Sequence, residues 1–139
     1  GLRHFGYFER HEYKPRRRDH FDGSIYLITG GNSFSATTIL LHQLREQPNV
    51  TIIGEETGGG AYGNSAWMIP DVTLPHTRIR YRLPLFRLVM NKDALATGRG
   101  VLPHVWVGAT PESIARGIDV KSEKVKQLIQ NKTKSATAH

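Results

Sequence analysis

Cysteine is absent from the 139 residues, so neither a disulfide framework nor a thiolate metal site is available, and composition says nothing of the redox compartment. No stretch approaches the ~20 consecutive apolar residues that a membrane-crossing helix needs. The opening run, GLRHFGYFERHEYKPRRRDH, is too polar for a signal peptide. No Met starts the chain, and Gly1 leads directly into charged residues. The sequence is therefore expected to be a fragment, with targeting signals and other domains upstream. The scattered His and Glu residues contain no His-x-x-x-His pair, so no metal centre is expected.

Acidic residues are also scarce: 12 Asp plus Glu stand against 19 Lys plus Arg, for a formal net charge of +7. The basic residues crowd the start (Arg16, Arg17 and Arg18 among them), recur as Arg78, Arg80, Arg82 and Arg87, and return between Lys121 and Lys134. Such clusters attract phosphate in a salt-dependent way. The interleaved aromatics of a base-stacking platform are missing, however, and no nucleic-acid partner is expected.

The length suits one domain. Residues 1–22 have no steady apolar period and read as a charged loop or arm that packs through Phe5, Tyr7, Phe8 and Tyr13. Ser24 to Thr29 is a short β-branched and aromatic run bounded by Gly23 and Gly30, the pattern of a strand buried on both faces. From Ser35 the period changes. Ile39, Leu40 and Leu44 recur at helical spacing until Gln47-Pro48 stops the helix. Val50 to Ile53 is a second buried strand, and strand, helix, strand predicts a β-α-β unit with parallel strands, hence an α/β fold.

Gly54-Glu-Glu-Thr-Gly-Gly-Gly-Ala-Tyr-Gly63 is too glycine-rich for regular structure and predicts a mobile or ligand-facing loop. Trp67 to Pro75 and Thr77 to Leu83 read as strands, with Ile79, Tyr81, Leu83, Leu85 and Phe86 expected as sheet core and Arg78, Arg80 and Arg82 on the other side. Val105 to Val107 predicts a short strand. Thr110-Pro-Glu-Ser reads as an N-cap with Pro at the first helical position. A last helix is expected over Val120 to Asn131, and residues 132–139 read as a disordered tail.

The strongest local signal is Gly30-Gly-Asn-Ser-Phe-Ser35-Ala36, between a buried strand and a helix. A hydroxyl there lies beside the unpaired N–H groups and partial positive charge of a helix N-terminus, which stabilise a developing anion. The competing reading is that Ser33 or Ser35 simply caps the helix. The G-x-S-x-G elbow of α/β-hydrolases is not matched.

The order strand, Gly-Gly-Asn-x-x-Ser-Ala, helix, Val-x-Ile-Ile-Gly-Glu-x-Thr-Gly-Gly-Gly, followed by Gly100-Val-Leu-Pro103, resembles the core of the C-terminal processing (tail-specific) serine peptidases and their tricorn and retinoid-binding relatives. The likeness runs from about Asp22 to Ile129 and is nearest the branch found in Bacteroidetes-type bacteria. The resemblance implies a ClpP/crotonase-like layered superhelix, with residues 23–131 as the C-terminal part of the catalytic domain. It implies Ser35 as nucleophile, the Ala36 N–H as one oxyanion donor, and a second donor from a Gly-rich segment upstream. It further implies hydrolysis through an acyl-enzyme without a cofactor, a peptide or protein substrate, and an extracytoplasmic setting. The upstream part of the same polypeptide and a second copy of the chain are the other partners it suggests.

Two positions depart from that pattern. Where many family members carry a base Lys in the glycine loop, this chain has Gly60, and His104 stands where Asp is usual. The base is then expected to be a His upstream, as in tricorn-like members, with Glu55 as a possible auxiliary acid to orient it. His42 falls two helical turns from Ser35, about 10 Å by helical rise, too far for direct proton transfer. His76 and His104 read as surface residues. The alternative is a non-catalytic member that binds hydrophobic ligands or peptides.

Overall fold

The computed structural model describes residues 14, 16–92 and 98–137. The expected packing of Phe5, Tyr7, Phe8 and Tyr13 lies outside the described residues. Residues 16–22 of the expected arm form no helix or strand and are exposed.

The sheet begins with β1 (Ile25–Thr29) and β2 (Val50–Gly54), parallel and paired from Ile25↔Val50 through to Thr29↔Gly54. The α1 helix (Ala36–Leu44) connects them. A third parallel strand, β7 (Val105–Trp106), joins the far side of β2 and gives the order β1-β2-β7. β2 is buried, as suits a β-branched central strand, whereas β1 stands at the sheet edge with Ile28 48% exposed, which corrects the expectation that it is buried on both faces. Leu41 of α1 packs with Val50, Ile52 and Val101, and Ile25, Leu27, Leu44 and Ala61 close around them. Because side chains alternate across a strand, Tyr26 and Thr51 point the other way, where Leu128 of α3 (Val120–Thr137) stands beside them. Helices therefore cover both faces. Ile52 and Ile53 have no exposed surface, and each contributes roughly 1.5–3 kcal/mol by burial.

The short α2 helix (Pro111–Ala115) carries the predicted cap: Thr110 Oγ1 accepts the Ser113 N–H, and Ser113 Oγ accepts the Thr110 N–H. Gly117, at φ 63, turns the chain toward α3, whose first N–H groups, those of Lys121 and Ser122, meet the Asp119 carboxylate. The α3 helix continues to Thr137, through residues expected to be a disordered tail. No Gly or Pro interrupts 120–137, and helices end where such residues intervene.

Two small antiparallel pairs complete the chain. β3 (Gly63–Asn64) pairs with β6 (Leu88–Val89), and β4 (Asp71–Thr73) with β5 (Arg80–Arg82). The second pair is the centre of a longer ribbon, since Leu85 N–H bonds the Met68 carbonyl, Leu83 N–H that of Pro70, and Leu74 N–H that of Ile79. The register places Met68, Val72, Leu74, Ile79, Tyr81, Leu83 and Leu85 on one side and Asp71, Thr73, Arg80 and Arg82 on the other. Here the expectation of a sheet core is corrected: Ile79 is 59% exposed and Leu85 56%. Alternation identifies the residues that share a face, and no described residue covers this one.

Candidate functional site

The parallel strands β1 and β2 end together, and the chain turns sharply after Thr29. Ser33 N–H closes the turn on the Gly30 carbonyl at 2.8 Å. The Ser33 hydroxyl is used inside it, accepting from Thr29 Oγ1 at 3.2 Å and from Gly30 N–H at 3.3 Å. Ser33 therefore does not cap the helix. Its carbonyl receives the Gly59 N–H at 3.0 Å and Thr38 Oγ1 at 3.4 Å.

Ser35 differs in each respect. It holds the N-cap position of α1, yet its side chain makes no cap hydrogen bond. Its backbone lies at φ 53, ψ −120, a conformation that L-residues rarely adopt and that raises local free energy by about 1–3 kcal/mol. The residue is exposed. A favourable cap normally lets Ser take extended φ and bond the N2 or N3 amide; Ser35 forgoes that bond in a strained geometry. The capping reading is thus met by neither serine. The next amide, Ala36 N–H, has no acceptor among the described residues, and no acidic side chain occupies the first turn of α1. The partial positive charge of this helix end is left uncompensated beside a free hydroxyl.

The glycine loop, expected to be mobile or ligand-facing, lies against this turn. A Cβ on Gly58 would overlap the Gly31 carbonyl and the Phe34 ring, and one on Gly59 would overlap Thr38 Oγ1. Only glycine permits that approach. On its far side the loop is tied to 99–101: Thr57 N–H bonds the Val101 carbonyl, Val101 N–H bonds Thr57 Oγ1 at 2.8 Å, and Ala61 N–H bonds the Arg99 carbonyl at 2.9 Å. Glu56 receives Arg99 Nε at 2.9 Å and Nη2 at 2.6 Å, together with the Gly100 N–H at 2.6 Å. The hydrogen bond from Arg99, then that from Gly100, holds the Glu56 carboxyl below its ordinary range. Gly60 is exposed, and a Cβ placed there has nothing closer than 3.9 Å.

The other candidate residues are placed as follows. Glu55 pairs with Lys121 Nζ at 2.7 Å, and the ammonium group sits close against Gly30 at the carboxyl end of β1. Both line an open cleft with Gly31, Asn32 and Ser33, at the strand ends where α/β folds hold ligands; Ser35 is not on its wall. His104 is at the surface, as its sequence suggested, but its tie to the sheet had no local signal. Exposed though it is, its Nδ1 accepts the Ile52 N–H at 3.0 Å and its own N–H bonds the Ile52 carbonyl at 2.8 Å. A carboxylate at this position could accept the same amide. His42 is half-buried on α1, and His76 is exposed at the ribbon tip. Among the described residues there is no group of three His, Asp or Glu side chains suited to a metal ion. None of their helices is long and apolar enough to cross a membrane.

The model of peptidase family S41 matches residues 3–107. Among solved structures, a protein of Parabacteroides merdae described as a candidate peptidase is similar, at 27% identity and a TM-score of 0.62 over 82% of this chain. The chain spans 34% of the length of that structure. No curated protein matches the sequence.

Proposed function

Because the chain belongs to peptidase family S41, we propose that it carries the nucleophilic part of a serine peptidase site, with Ser35 as the nucleophile and the Ala36 N–H as one oxyanion donor. The observation that carries this reading is the Ser35 geometry: a free hydroxyl on a residue at φ 53, ahead of a helix whose first amide is unpaired. Strained backbone of this kind concentrates at functional sites, because the surrounding structure must over-determine it.

In the reaction, a base takes the Ser35 hydroxyl proton as Oγ forms a bond to the peptide carbonyl carbon. The carbonyl π-electron pair moves onto oxygen, where amide hydrogens hold the charge. Collapse expels the amine, which leaves with the proton, and water then hydrolyses the ester by the same steps. No described residue hydrogen-bonds to Ser35 Oγ. On the family resemblance we assign the base, a His, and the second oxyanion donor to polypeptide outside residues 1–139, and expect residues 1–139 alone to be inactive. Glu55, ion-paired with Lys121, is the auxiliary acid proposed to orient that base. The crotonase-like layering and an extracytoplasmic setting belong to the same proposal and rest on family resemblance.

A second reading, a non-catalytic binder of apolar ligands or peptides, is favoured by Gly60 standing at the base Lys position. A fluorophosphonate probe on the complete protein separates the two. Labelling that Ser35→Ala abolishes supports the peptidase; a folded protein with an unreactive Ser35 supports the binder.

A further inference from the structure

Phe34, the residue before the proposed nucleophile, is held more tightly than a surface phenylalanine requires. Its ring rests on the backbone of Gly58, where a Cβ would overlap it. Its carbonyl accepts the Thr37 N–H at 3.1 Å, and the carbonyl just before it, that of Ser33, accepts the Gly59 N–H at 3.0 Å. Even so, 55% of the residue faces solvent. Single exposed apolar side chains are ordinary; this one is fixed in place on a loop that lacks the Cβ atoms to bury it. Consecutive Cα atoms lie about 3.8 Å apart, so a peptide that presents a carbonyl to Ser35 Oγ passes next to the Phe34 backbone.

We propose that Phe34 is a specificity-determining residue, an aromatic shelf beside Ser35 that receives a large apolar or aromatic side chain flanking the scissile bond. The inference rests on the assignment of Ser35 given above. An open ring gains from such a neighbour twice, by removal of apolar surface from water and by edge-to-face or offset contact. A polar or small flanking residue gains neither. The clamp under the ring means that the shelf is already formed before substrate arrives, so little ordering entropy opposes the contact.

The test takes the complete protein and a defined peptide mixture, with cleavage sites read by mass spectrometry and fluorophosphonate labelling as an independent measure of Ser35. The wild type is expected to cut beside Phe, Tyr, Leu or Met. Phe34→Ala is expected to lose about tenfold in kcat/KM on those peptides and to keep its rate, within about twofold, on peptides with Ala or Ser there, with labelling retained. Phe34→Leu keeps an apolar side chain over Gly58 and is expected to fall between. Variants that label but show the wild-type preference overturn the shelf and leave Ser35 standing. An equal loss on every peptide in both variants also overturns it, because that pattern marks packing of the turn. A wild type that neither labels nor cleaves overturns the shelf together with the function it rests on.

Discussion

The Gly59 amide donates to the Ser33 carbonyl at 3.0 Å, tying the glycine loop to the turn that delivers Ser35 into its helix. Two segments 26 residues apart in sequence thereby share one piece of backbone geometry. The strain at Ser35 is held by its neighbours, since Ser33 is bonded on its N–H, hydroxyl and carbonyl and Gly59 admits no side chain.

Strain at Ser35 predicts an inversion of the usual Gly penalty. Ser35→Ala keeps the positive φ and its cost, whereas Ser35→Gly removes it. In urea unfolding, Ser35→Gly is expected to be the more stable of the two by about 1 kcal/mol. The reverse order would mean that the φ of 53 carries no strain.

Gly60 has open space above it and a φ that any residue accepts. Gly60→Lys is therefore expected to change stability by no more than about 0.5 kcal/mol, as surface substitutions do. If the loop approaches Ser35 as the resemblance implies, the new amine also raises the rate of fluorophosphonate labelling. The measurement compares labelling rates of the two proteins across neutral to alkaline pH.

His104 predicts a substitution series. His104→Ala leaves the fully buried Ile52 with an unsatisfied N–H at its edge, and a loss of about 1–3 kcal/mol is expected. His104→Asp and His104→Asn restore an acceptor and are expected to recover most of it. Thermal unfolding of the three variants checks the order.

Glu56 predicts a pH dependence. Its folded carboxyl titrates below the unfolded one because Arg99 and Gly100 donate to it. The tie is therefore at full strength above the unfolded carboxyl's range and is lost only as pH falls through the lowered folded value. The protection factor of the Gly100 amide, taken by NMR against the intrinsic exchange rate at each pH, is expected to be high at neutral pH and to fall in acid. Glu56→Gln should flatten that profile.

Much of this architecture was legible in the residues. Ile25, Leu27, Val50 and Ile52 announce strands because apolar side chains at alternate positions share the face packed on Leu41, and Thr110-Pro with Ser113 announces a helix start because capping is a local matter. The β3–β6 pair was not legible, since Gly63–Asn64 has little strand preference and is paired by its neighbours. Nor was the reach of α3 past Asn131. At the site, the motif singled out Ser35, whereas its φ was hidden because Ser is not a residue expected there. The tie from His104 to Ile52 spans 52 positions, and no local pattern foretells it.

The one-sided ribbon bears on how the molecule behaves in bulk. A strip bearing Met68, Leu74, Ile79, Tyr81, Leu83 and Leu85 against water makes the attraction between dissolved particles rise with salting-out ions. Light scattering in ammonium sulfate should then record clustering at concentrations where a chain with Ile79 and Leu83 replaced by Thr stays dispersed, the outcome expected if this hairpin sets colloidal stability.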